Sequence, residues 1–149
     1  MAGHGSNEHL CEFIARRATL ETDALFASTI WTNLAVEAFE AVRDSGPGGA
    51  AHACELETSM ILRIRPELVR MDLARGANIA FDSAFYSPDS SGPSRVSVAR
   101  PFEHVTATGA LSHPEVATPV KGERLYEVAT HELVKFIREF QNWKTFEPA

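Results

Sequence analysis

Ala51-His52-Ala53-Cys54-Glu55-Leu56-Glu57-Thr58-Ser59 places a histidine, two carboxylates and two hydroxyls within nine residues. The glycine-rich Gly46-Pro47-Gly48-Gly49 precedes it, and the apolar run Met60-Ile61-Leu62 follows. A loop therefore feeds polar side chains into the start of a helix. Glu55 and Glu57 are two residues apart, so they cannot share one helix face. One of them faces a site from the loop or first turn, while the other caps or packs. Thr58 and Ser59 are able to cap backbone donors near the same terminus. On the residues alone two readings stand: metal or acid–base chemistry at a helix start, and an ordinary capped helix with an incidental histidine.

Working outward, Leu56, Met60, Ile61 and Ile64 give this helix its apolar side, and Pro66 stops it because proline lacks the amide a continuing helix needs. Residues 66–70 read as a short helical turn. Upstream, Ser6 or Asn7 caps a first helix running to about Arg17, with Leu10, Phe13 and Ile14 as its buried stripe. Residues 24–31, ending in Thr29-Ile30-Trp31, read as a buried strand. Thr32 or Asn33 then caps a second helix carrying Leu34, Ala38, Phe39 and Val42. Residues 76–101, rich in Ser, Pro and Gly, read as a long connection with a strand at 95–99. Leu125, Val128, Ala129, Leu133, Phe136, Ile137 and Phe140 mark one long amphipathic helix. Helices alternating with short apolar strands predict α/β layers around a mostly parallel sheet.

Composition narrows the function classes. At 149 residues the chain fits one domain, 1–149, able to bury about two-thirds of its unfolded surface. A net charge of −6 gives no electrostatic footprint for nucleic acid or an anionic membrane surface. No apolar run reaches the about 20 residues that span a bilayer. Cys11 and Cys54 make no disulfide framework, which fits a reducing cytoplasm.

His52-Ala53-Cys54-Glu55-Leu56-Glu57-Thr58-Ser59 resembles the His-Ala-Gly-Glu-x-Glu-Thr-Ser signature of the creatininase (creatinine amidohydrolase) family. Gly3-His4-Gly5-Ser6-Asn7 partly matches a second signature, Asn-Gly-His-Gly-Gly-Asn. Pro114-Glu115-Val116-Ala117-Thr118, with Lys121-Gly122-Glu123 after it, resembles a third, Asp-Pro-Thr-x-Ala-Thr-x-x-x-Gly-Glu. The resemblance implies a three-layer α/β/α, creatininase-like fold. It also implies a metal-dependent amidohydrolase acting on a non-peptide C–N bond in a small cyclic amide, a formamide or a similar molecule.

Site roles follow from the resemblance residue by residue. His4 and Glu55 match metal ligands of a dinuclear centre, with zinc or manganese as the divalent ion. His52 matches a histidine near the reacting centre, suited to carrying a proton to the leaving amine. Trp31 stands where an aromatic wall would meet a small planar amide; core packing is the other reading of that residue. Glu57 supports the helix start.

The family's Gly-Ser-x-Glu-Gln-His-Gly-like opening and a later Thr-Asp are not found here. The resemblance therefore implies the C-terminal portion of the domain, incomplete at its N-terminus and short of three metal ligands. A catalytic zinc typically takes three protein ligands and a water, so weak metal binding and impaired activity are expected of the isolated chain. The partners expected are a small-molecule substrate and either further copies of the chain or a complementing N-terminal chain. The alternative is a non-catalytic fragment or split-enzyme subunit.

Overall fold

The computed structural model describes residues 1–77, 82–90 and 92–143. Of these, 53% are helical, and no sheet forms among them. The expected three-layer α/β/α arrangement around a parallel sheet is therefore overturned. The backbone divides into two compact units, Met1–Ala35 with the chain from Val128, and Val36–Glu127.

In the first unit a 3₁₀ turn at Gly5–Asn7 leads into α1, Glu8–Glu21. Asn7 occupies the capping position without a side-chain bond, and Glu8 sits where the helix dipole favours an anion. α1 buries none of its residues. Leu10, Phe13 and Ile14 are 56%, 62% and 54% exposed, so the expected buried stripe lies open. Helical spacing decides which side is apolar; it does not supply the surface that covers it.

The predicted strand over 24–31 reduces to one parallel bridge between Ala2 and Ile30. Ala2 donates its amide to the Thr29 carbonyl at 2.7 Å and accepts from the Trp31 amide at 3.3 Å. The preceding amides go to hydroxyls instead of a neighbouring strand. Ala24 N–H donates to Thr22 Oγ1 at 3.3 Å and Phe26 N–H to Thr19 Oγ1 at 3.0 Å. An apolar run has the propensity for a strand, but only a partner along its length turns propensity into a ladder. Trp31 then opens α2, Trp31–Val42, so Thr32 and Asn33 lie inside the helix they were expected to cap. In the chain from Val128, the rings of Phe136, Phe140 and Trp143 meet at centroid separations of 5.4 to 6.0 Å, a range typical of favourable aromatic pairs.

The second unit holds the buried core. Phe39 of α2 packs there with Ala50, Cys54, Leu56, Met60, Leu111, Ala117 and Leu125, all buried. α3 spans Glu55–Ile64, and Pro66 opens a 3₁₀ turn, Pro66–Leu68, directly after it. Further single turns at Met71–Leu73, Phe102–His104 and Pro114–Val116 carry the chain to α4, Pro119–Phe140. The strand expected at 95–99 is not formed. There Arg95 N–H reaches the Phe85 carbonyl at 2.7 Å, and Ser94 Oγ bridges the amide and carbonyl of Ser87 at 2.9 and 3.2 Å. Here a serine hydroxyl, as threonine hydroxyls did before residue 30, takes backbone groups that a ladder would use.

α3 and the start of α4 are joined at three levels. Glu55 pairs with Lys121, Ser59 Oγ accepts the Thr118 amide at 3.1 Å, and Arg63 pairs with Glu123. The rows 55, 59, 63 are one helix turn apart, so one side of α3 faces the third signature along its length.

Candidate functional site

The site is built around the first turn of α3. Cys54 is its capping residue, in extended backbone and with no side-chain bond to the helix. The capping work falls to Glu57, whose carboxylate accepts the Ala53 amide at 2.6 Å. Ala53 holds φ at 47°, a left-handed conformation unusual for alanine, and this turns its amide toward the helix. Thr58 and Ser59 do not cap donors of this terminus: Thr58 Oγ1 donates to the Ala53 carbonyl at 3.4 Å, and Ser59 Oγ accepts the amide of Thr118, just ahead of α4.

Glu55, expected to face a metal, is 0% exposed. Its oxygens accept the Asp44 amide at 3.0 and 3.1 Å, the Ser45 amide at 2.9 Å and the Lys121 ammonium. Burial would raise the Glu55 carboxyl, but Lys121, Ser45 and the Asp44 amide together hold it below the ordinary glutamate value. Lys121 Nζ is shared with Asp44 Oδ2 at 2.6 Å and the Val116 carbonyl at 2.8 Å. Burial opposes its charge, yet Asp44 and Glu55 carry its pKa above the ordinary lysine value. Three oxygens from 44, 55 and 116 thus converge on one ammonium.

His52 lies on the segment that precedes this turn, which is fastened by backbone bonds on several sides. Ser90 N–H donates to the Ala50 carbonyl at 2.5 Å and Leu111 N–H to the His52 carbonyl at 2.8 Å. Ser112 Oγ, fully buried, donates to the Gly49 carbonyl at 2.5 Å. The imidazole is half-buried and stands edge-on to Phe102, with centroids 4.7 Å apart and planes at 82°. A ring positioned this way keeps its orientation while part of it meets solvent, as proton transfer to a small molecule requires. Upstream, Arg43 crosses to Asp89 at 2.8 Å, and Asp89 also accepts the Gly48 amide at 2.6 Å, tying the glycine-rich loop down.

Of the residues singled out from sequence, His52 and Glu55 share this unit, whereas His4 and Trp31 belong to the other. His4 is exposed at the head of the Gly5–Asn7 turn, and Trp31 is half-buried at the start of α2. Among the described residues no group of three or more His, Cys, Asp or Glu side chains is placed to hold a metal ion. The surroundings of Glu55 do not fit one either, because a lysine ammonium already sits against its carboxylate. Lys121, Asp44 and the Arg43–Asp89 pair carried no role in the sequence reading. Lys121 alone had a signal, its place in the third signature.

The family model described as Creatininase: Creatinine amidohydrolase matches residues 1–137 of the chain. Comparison with curated proteins and with solved structures finds no match.

Proposed function

The chain belongs to the creatininase family, and on that premise we propose that it serves as an amidohydrolase cleaving a non-peptide C–N bond. The substrate is a small cyclic amide, a formamide or a similar molecule. The observation that carries this reading is the family match over residues 1–137. His52 is its proton carrier: anchored through its carbonyl and steadied by Phe102, the imidazole delivers a proton to the departing amine.

Metal dependence, with zinc or manganese, comes to this chain from the family and not from its geometry. A divalent ion would supply Lewis acidity and an activated water. His4 is the residue that the second signature offers as a ligand. The exposed apolar side of α1, with Leu10, Phe13 and Ile14 open, favours assembly with a further copy or a complementing chain. The two free cysteines suit a reducing cytoplasm.

The test is amine release from cyclic amides and formamides by the chain dialysed against manganese or zinc, beside His52→Asn. Slow, metal-stimulated release that falls about 100-fold in the variant is expected. Release indifferent to metal and unchanged in the variant would overturn the proposal.

A further inference from the structure

We propose that Glu55 is a structural anion in this chain, with the Lys121 ammonium seated where a metal ion would otherwise meet its carboxylate, so that any metal centre forms without Glu55. Four observations carry this. Glu55 is fully buried, and its oxygens accept two backbone amides, those of Asp44 and Ser45, as well as the ammonium. A carboxylate has about four acceptor positions, and these three donors make four contacts with its two oxygens, the Asp44 amide reaching both. Lys121 is itself held by two further oxygens, Asp44 Oδ2 at 2.6 Å and the Val116 carbonyl at 2.8 Å, so it is not a passing surface contact. The pair also lies in line with Ser59–Thr118 and Arg63–Glu123, the two other links between α3 and α4.

Charge accounts for the consequence. A divalent ion at Glu55 would face the Lys121 ammonium across the same oxygen, and one of the two cations must leave. Moving Lys121 out would leave the part-buried Val116 carbonyl without this donor and release the first turn of α4 from α3. The arrangement therefore makes Glu55 and Lys121 a mutual pair that docks α4 onto α3. The signature that holds Glu55 and the third signature, which holds Lys121, thus meet through an ion pair. This goes beyond the hydrolase reading, and its test does not depend on activity.

The experiment is a double-mutant cycle in denaturant stability with Glu55→Gln, Lys121→Met and the double variant, together with metal content of each protein after dialysis against manganese and zinc. Lys121→Met leaves a buried carboxylate without its cation, the costly half of a broken pair. The double variant should unfold no more readily than Lys121→Met alone, with a coupling of about tenfold or more in the unfolding constant. Metal content should be the same in Glu55→Gln as in the parent. Additive effects in the cycle, or metal that the parent holds and folded Glu55→Gln loses, would overturn the proposal. Should Lys121→Met fail to fold, Lys121→Arg supplies the second arm, since a retained cation is expected to restore most of the stability. An arginine variant no more stable than the methionine one counts against the pair.

Discussion

The Cβ that Gly122 lacks would lie 2.0 Å from the carbonyl oxygen of Ser59. The first turn of α4 can approach α3 this closely only because residue 122 has no side chain, and this spacing lets Lys121 and Thr118 reach Glu55 and Ser59. Gly122→Ala sets two effects against each other. Alanine favours the helix by about 1 kcal/mol, whereas forcing a methyl into backbone costs about 1–3 kcal/mol or more. The carbonyl belongs to the helix ladder and cannot swing aside like a side-chain tip, so the clash wins. Net destabilisation is expected, read as a lower denaturant midpoint with an unchanged slope. A stability equal to or above the parent's would show that the two helices are not held in this register.

The same contact sets a pH window. Burial raises the Glu55 carboxyl, but Lys121, Ser45 and the Asp44 amide bring it below its ordinary 4.5. A depressed carboxylate contributes stability that is complete above the unfolded value and disappears as pH falls through the folded one. Lys121 is raised above 10.5, so its contribution is complete below that value and disappears as pH climbs through the raised one. Denaturant midpoints measured from pH 7 downward should therefore fall below about pH 4.5, and fall less steeply in Glu55→Gln. Parallel acid limbs in the two proteins would sink the assignment.

Asp89 and Arg43 form the other buried pair, each side chain 8% exposed. Asp89 also accepts the Gly48 amide, while Arg43 reaches the Gly46 carbonyl and lies 4.8 Å above the Phe39 ring. Asp89→Ala removes the buried one of the two acidic partners that Arg43 has among the described residues, half-exposed Glu40 being the other, and it takes the acceptor from an amide in the glycine-rich loop. A loss of about 2–3 kcal/mol is expected, below the full cost of a broken buried pair because Glu40 still offsets part of the Arg43 charge. Asp89→Asn, which still accepts from Gly48, should lose less. Equal midpoints for parent and Asp89→Ala would mean the loop is held by something else.

How far the sequence revealed this molecule depends on the range of the interaction. The four helices were legible because 3.6-residue spacing and Pro66 act within one element. The capping role of Glu57 was legible for the same reason, as its partner is only four residues away. Strands were not legible: residues 24–31 had the apolar composition, yet Thr19 and Thr22 hydroxyls took amides a ladder would need. The role of Glu55 depends on Lys121, 66 residues on, and that of Arg43 on Asp89, 46 residues on. Neither link has a local pattern, and the resemblance that identified Glu55 described its chemistry with a metal, not with a lysine. Buried apolar stripes were over-read on α1, where periodicity had no covering surface to match.

Cys54 stands where the family signature has glycine, and its backbone does not call for one: φ is −82° and ψ −177°, extended values open to any residue. Its side chain is 1% exposed among the core residues, and burial pushes the thiol above its ordinary pKa. Two outcomes are expected from this placement. Against a thiol reagent at neutral pH, half-buried Cys11 should react first, with Cys54 following only under denaturing conditions, because the thiolate is the reactive form. Cys54→Gly, which restores the family residue, should weaken the fold by about 1–3 kcal/mol through a lost buried side chain and a looser unfolded chain. Prompt labelling of both thiols in the native protein, or a glycine variant as stable as the parent, would place Cys54 outside the core and α3's first turn with it.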